Sequence, residues 1–211
     1  MPTSRPRAAD ASALTLTELA RRAQLIDVTV DLVAEHGYGG TSLARIAGGA
    51  GITKAAVLYH FPTKDAVIRA AHQHVLDTLV GEVAAAVDAA GPADGPAAYV
   101  RSMVGHLRDH PRHTRVVIEA TNGVGDLART ADRWGPLAEL LAAARTARGL
   151  APGPDLRTLA IIVGGALDAI VIERLADPGY DTSAAADMLV TMVEQALTTG
   201  EEAQASGQRT S

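Results

Sequence analysis

Apolar residues recur at helical spacing along most of this chain, and capping and turn residues separate them into distinct stripes. Leu19, Ala23, Ile26, Val30 and Val33 form the first stripe. Thr15 and Glu18 open it with the spacing of a capping box, and Gly37 closes it. Leu43, Ile46, Ala47 and Ala50 form a short second stripe, with Thr41 placed to cap it. Gly51 stands where a tight turn needs a backbone without a Cβ. Thr53 then predicts the cap of another short helix, with Val57 and Phe61 facing inward. After Pro62, Thr63 and Asp65 predict the start of a long helix with the stripe Val67, Ala71, Val75, Leu79, Val83 and Val87, stopped by the run Gly91–Pro96.

Further helices are expected over 97–109, 112–120, 136–148, 156–175 and 184–197. Asp155 is a good cap for the fourth of these. A break is expected at 122–125, and 126–134 is helical in pattern until Gly135-Pro136 ends it. The helix over 156–175 is apolar on nearly every side: Leu159, Ile162, Val163, Ala166, Leu167, Ile170 and Val171. A helix apolar all round must be covered all round, so one side is expected to face a second copy of the chain. Ile162, Val163, Ala166 and Ile170, with Met188 and Met192 from the last helix, are the expected seam, and Gly164 and Gly165 are expected to let helices approach closely across it. Residues 1–13 and 201–211 are polar and are expected to be disordered tails.

Composition agrees with an all-α protein. Of 211 residues 47% are hydrophobic but only 3% aromatic, and no strand-like alternation occurs. The absence of cysteine excludes a disulfide framework and a thiolate metal site. No signal peptide or bilayer-length apolar run is found, since Asp168 interrupts the most apolar segment. A cytoplasmic protein without membrane contact is expected. No nucleophile–base pair, phosphate loop or metal motif argues for an enzyme, and no cofactor is expected.

Two short helices joined by a glycine turn, behind a longer first helix, form the pattern of a helix-turn-helix, whose second helix enters the DNA major groove. The net charge of −5 opposes that reading only until it is divided. Residues 1–66 carry seven Lys/Arg against six Asp/Glu, and the remainder twelve against eighteen. Between His36 and Lys64 stand Arg45, Lys54 and Lys64 and no acidic residue. Phosphate contact needs a local positive surface only. Thr53, Lys54 and Ala55 open the recognition helix and are placed to reach base edges. Lys64, beside the free amides of the next helix, makes an anion site. Ser42 and Arg45 are further candidates for DNA contact, with Thr41 ahead of them.

Gly37-Tyr38-x-x-Thr41, Ile46-Ala47, Ala50-Gly51-Ile52-Thr53 and Tyr59-His60-Phe61-x-x-Lys64, set behind a first helix, closely resemble the tetracycline-repressor (TetR) family. The motif covers about residues 18–66, and the rest of the chain matches in helix number and rough length. The resemblance implies a helix-turn-helix domain over 14–64 and a ligand-binding and dimerisation domain over 65–200. It further implies a homodimeric regulator, usually a repressor, released from double-stranded operator DNA by a small ligand. It places Tyr59 and His60 at the phosphates. One departure is clear: the family commonly has tyrosine where this chain has Leu58, so the phosphate contact usual there is missing or is made by Tyr59.

The many aliphatic side chains suit an apolar or amphipathic effector, with Tyr99, Met103, His106 and Trp134 as candidate pocket residues. Two alternatives stand beside this one: a constitutive regulator without ligand, and a metal-responsive one using His106, His110 and His113. His106 and His110 share a helical face, but Pro111 is expected to move His113 off it, and no carboxylate obviously completes the set. No metal site is therefore assigned.

Overall fold

The computed structural model describes residues 15–123, 134–150 and 155–198. The tails, most of the 126–134 segment and the Pro152-Gly-Pro154 turn lie outside them. Among the described residues there are eight helices and no strand: α1 (Leu16–Gly40), α2 (Leu43–Gly49), α3 (Lys54–His60), α4 (Lys64–Asp109), α5 (Pro111–Gly123), α6 (Gly135–Ala147), α7 (Leu156–Ala176) and α8 (Thr182–Thr198). The fold is all-α. None of these helices is long and apolar enough to cross a membrane.

The chain divides into two compact units, 1–71 and 72–211. The division falls inside α4 because its first turns belong to the N-terminal core. Val67 is fully buried there among Leu25 of α1, Ile46 and Ala47 of α2, and Val57 and Phe61 at α3. Helix α1 starts with the expected box, Thr15 Oγ1 accepting from the Glu18 N–H and the Glu18 carboxylate accepting from the Thr15 N–H. Polar side chains of α1 then satisfy carbonyls at the ends of the next two helices, which have no partner within their own helix. Gln24 Nε2 donates to Ala50 O at 3.3 Å, and the Arg22 guanidinium donates to His60 O while lying 4.1 Å from the centre of the Phe61 ring. The turn between α2 and α3 places Gly51 at φ +66°, where a Cβ costs about 1–2 kcal/mol.

In the C-terminal unit, Val100 and Val104 of α4, Leu137 and Leu141 of α6, Ala160, Val163 and Leu167 of α7 and Leu189, Val193 and Leu197 of α8 form one core. The expected stop at Gly91 is a kink instead. Gly91 has φ +76°, and the helix resumes at once because Pro92 stands at its first position, where no N–H is needed. Asp155 caps α7 as expected, accepting from the N–H groups of Arg157 and Thr158. The C-terminal end of α8 is held from α6: the Arg145 guanidinium donates to Leu197 O, and that of Arg148, which follows α6, to the Glu194 carboxylate.

Helix α7 presents two different faces. Val163 is 2% exposed and belongs to the protomer's own core, so it leaves the expected seam between subunits. Ile162, one residue earlier, is 57% exposed, as is Met192, and Met188 is 68% exposed. Ala166 and Ile170 are partly buried against the core and also border a groove with Tyr180, Met188, Leu189 and Met192. Gly164 serves a contact inside the chain. The Trp134 ring lies where a Cβ at Gly164 would stand, while a Cβ at Gly165 would meet nothing.

His72 is buried, and burial pushes its imidazole below the ordinary value of 6.5. The folded chain therefore favours the neutral ring, whereas the unfolded chain takes up a proton as pH falls. Stability is full above the unfolded value and declines as pH drops toward the folded one. Urea midpoints measured from pH 7.5 to 5 are expected to fall, and His72→Gln is expected to reduce that slope. An unchanged slope would remove His72 from the account.

Candidate nucleic-acid interface

Helix α3 is one face of core and one face of surface. Val57 is fully buried, and the C-terminal Phe61 is 2% exposed. Thr53, Lys54, Ala55, Leu58 and Tyr59 are exposed. Thr53 is the N-cap, its hydroxyl accepting from the Ala56 N–H at 3.2 Å, so its methyl and the following two residues stand at the exposed start of the helix. Lys54 and Leu58, and Ala55 and Tyr59, are each four residues apart and form adjacent rows.

Leu58 is the residue that sequence reasoning treated only as a departure. At 39% exposure on this face, it offers the apolar surface that suits a thymine methyl. The signal was available: an apolar side chain among Thr, Lys, Ala and Tyr, outside the Val57–Phe61 stripe.

The flanking groups are held in place. Ser42 caps α2, its hydroxyl accepting from the Arg45 N–H at 3.3 Å, and the exposed Arg45 guanidinium donates to Gly40 O at 2.7 Å. Thr41 does not cap α2 and is not at the surface. It is 2% exposed, and its hydroxyl donates to Gly37 O at 2.9 Å because Thr41 closes α1 rather than opening α2. Its hydroxyl is thus committed inside the chain and is not part of the exposed surface.

The Tyr59 hydroxyl donates to Glu18 at 2.9 Å, which raises the phenol's pKa and helps hold the Glu18 carboxyl below its usual range. The larger cause of the Glu18 shift is the bonding from Thr15. The Tyr59 and His60 rings meet edge to face, 5.0 Å between centres. Half-buried Lys64 donates to Tyr38 O at 2.8 Å with its ammonium 3.9 Å from the centre of the Tyr38 ring, at the first residue of α4. Cap, anchor lysine and exposed helix face together make a surface that can lie against a polyanion and insert one short helix into a groove.

None of the four expected pocket residues lines the cavity found in the C-terminal unit between α4, α5 and α7. Tyr99, Met103 and Trp134 pack against the core, and His106 turns to Glu82. The cavity, about 170 Å³, is bordered by Leu107, Pro111, Ile170 and Leu175 and by Arg108, Arg115 and Arg174. Sequence offered no signal for it, because its walls join α4 and α5 to α7 and the start of α8, which lie far along the chain from them.

A helix-turn-helix unit of this geometry, followed by an all-helical unit, defines the class of the protein. Residues 25–71 match the family described as bacterial regulatory proteins, tetR family. The match is confined to that N-terminal segment. It is 40% identical over 84 residues to the HTH-type transcriptional regulator BetI of Burkholderia thailandensis, covering 40% of this chain and 42% of that one. It is 29% identical over 97 residues to RutR of Escherichia coli K12, covering 46% of each. The chain thus spans less than half the length of the curated relatives it matches. Among solved structures, a TetR-like transcriptional regulator from Rhodococcus sp. RHA1 superposes with a TM-score of 0.68 at 26% identity, over 84% of this chain and 95% of that one. FadR of Bacillus subtilis, solved in complex with stearoyl-CoA, shares the fold with a TM-score of 0.64 at 17% identity, over 84% of this chain and 98% of that one.

Proposed function

We propose that this chain is a homodimeric, sequence-specific DNA-binding transcriptional regulator, a repressor released from its operator by a small amphipathic ligand. The observation that carries the DNA-binding reading is the division of α3 into a locked core edge and an exposed face of Thr53, Lys54, Ala55, Leu58 and Tyr59. The exposed apolar face of α7 and α8 supports the dimer. The cavity supports the ligand: its aliphatic walls suit an apolar body, and three bordering arginines suit an anionic end. A ligand that prefers the DNA-incompetent state must lower DNA affinity by that preference.

Titrations on duplexes selected from a random pool, and on unselected duplexes, across a salt series test the interface. Lys54→Ala and Leu58→Ala are expected to change the order of preference among operators, by about 1–3 kcal/mol for a lost bidentate base contact and less for an apolar one. Lys64→Ala is expected to weaken all duplexes alike. Each phosphate neutralised contributes about 0.9 to the slope of log affinity against log salt, so two copies in a dimer predict a slope flatter by nearly ~2. If all three variants bind every duplex as the wild type does, α3 is not the reading helix.

A further inference from the structure

Outside the DNA-binding unit, one side-chain cluster is not used by the proposed function. Pro111 does not carry His113 away from His106 and His110. It starts α5 at its first residue, and the new helix brings His113 back beside them. The ring centres of His106 and His110 are 4.4 Å apart, those of His106 and His113 5.4 Å, and those of His110 and His113 5.0 Å. A carboxylate also arrives from 24 residues upstream, across the Gly91 kink: Glu82 Oε2 lies 2.5 Å from His106 Nδ1. One ligating atom from each of Glu82, His106 and His110 lies within 4.8 Å of the others.

The protons follow from this geometry. An ionised carboxylate can only accept, so His106 Nδ1 carries the hydrogen and donates it to Glu82. In the neutral ring the lone pair is then on Nε2, which faces His113 Nδ1 at 3.3 Å. Two nitrogens held about 2.0–2.1 Å from one tetrahedral ion stand about 3.3 Å apart. His106 is 4% exposed, so its ring orientation is fixed by packing as well as by Glu82.

We propose that His106, His110 and His113 form a binding site for a zinc-class divalent ion, with Glu82 as the outer carboxylate that orients His106. Three imidazoles leave the fourth tetrahedral position for water or another ligand, and imidazole donors suit zinc, cobalt, nickel and copper rather than magnesium or calcium. The ion would tie the end of α4 and His110 after it to α5, and Glu82, through His106, would link it to α4 before the kink.

The test uses tag-free, full-length protein freed of metal by chelator dialysis. Co²⁺ is titrated by visible absorption and Zn²⁺ by calorimetry and by displacement of Co²⁺. The wild type is expected to bind one Co²⁺ per chain with the intense visible bands of a tetrahedral site, and Zn²⁺ is expected to abolish them. Because His106 is buried, the partly buried rings are replaced instead. His110→Gln and His113→Gln are each expected to lose the bands while keeping the wild-type circular dichroism spectrum, and His36→Gln to retain them. Glu82→Gln is expected to bind about 10–100-fold more weakly, as loss of an outer-shell partner does. The proposal is overturned if the wild type shows no saturable Co²⁺ spectrum, or if folded His110→Gln and His113→Gln bind as tightly as the wild type.

Discussion

Gly164→Ala is expected to destabilise the wild-type chain and to be neutral or stabilising once Trp134 is replaced by alanine. Alanine is the better helix former by about 1 kcal/mol, so an open site in the middle of α7 would gain from it. Position 164 is not open, because the indole of Trp134 occupies the space a Cβ needs. The added methyl must push the ring out of its packed position against the C-terminal core, at a cost of about 1–3 kcal/mol. Gly164→Val should cost more. Trp134 is the sole tryptophan, so its emission reports the displacement directly in the same samples. Equal costs of Gly164→Ala in the wild-type and Trp134→Ala backgrounds would show that the two residues do not meet.

The second large effect concerns assembly. Ile162 and Met188 carry exposed apolar surface on α7 and α8, and a charge at either position should prevent two copies from meeting there. Met188→Asp, or Ile162→Asp, places a carboxylate from each subunit in the proposed seam without entering the protomer's core, so the monomer is expected to stay folded. Sedimentation at micromolar concentration should give a dimer for the wild type and a monomer for the variants. Operator affinity should fall by about 10²–10⁴, since two half-sites no longer bind as one linked unit. Val163→Asp is the contrasting variant: at 2% exposure it should unfold the C-terminal unit instead. A wild type that sediments as a monomer, or Met188→Asp as a dimer, would place the interface elsewhere.

What the sequence determined by itself is whatever depends on neighbours within about one helical turn. The Thr15–Glu18 box, the Thr53 and Asp155 caps and the Gly51 turn each join residues at most four apart, and each is present as read. The inward stripe of the first half of α4, and the placement of Val57 and Phe61, follow from the same local period, whereas on α1 only Val30 and Val33 of the expected stripe are buried and Leu25 and Thr29 take the inner face in place of the exposed Leu19 and Ala23. The exposed side of α3 was legible in part for this reason: with Val57 and Phe61 inside, the period puts Ala55 and Tyr59 on the opposite side, while Lys54 and Leu58 stand beside the buried row and are exposed in the fold.

Tertiary structure decided what local period leaves undetermined. Thr41 and Ser42 are adjacent hydroxyl residues, and only the way α1 ends selects Ser42 as the cap and buries Thr41. On α7, apolar on every side, no period distinguishes Val163 from Ile162. The packing of α6 and α8 makes one core and leaves the other at the surface. The Trp134 ring over Gly164, and the Glu82 carboxylate against His106, join residues 30 and 24 positions apart. Such contacts are fixed by how helices close on one another, and no spacing along the chain encodes them.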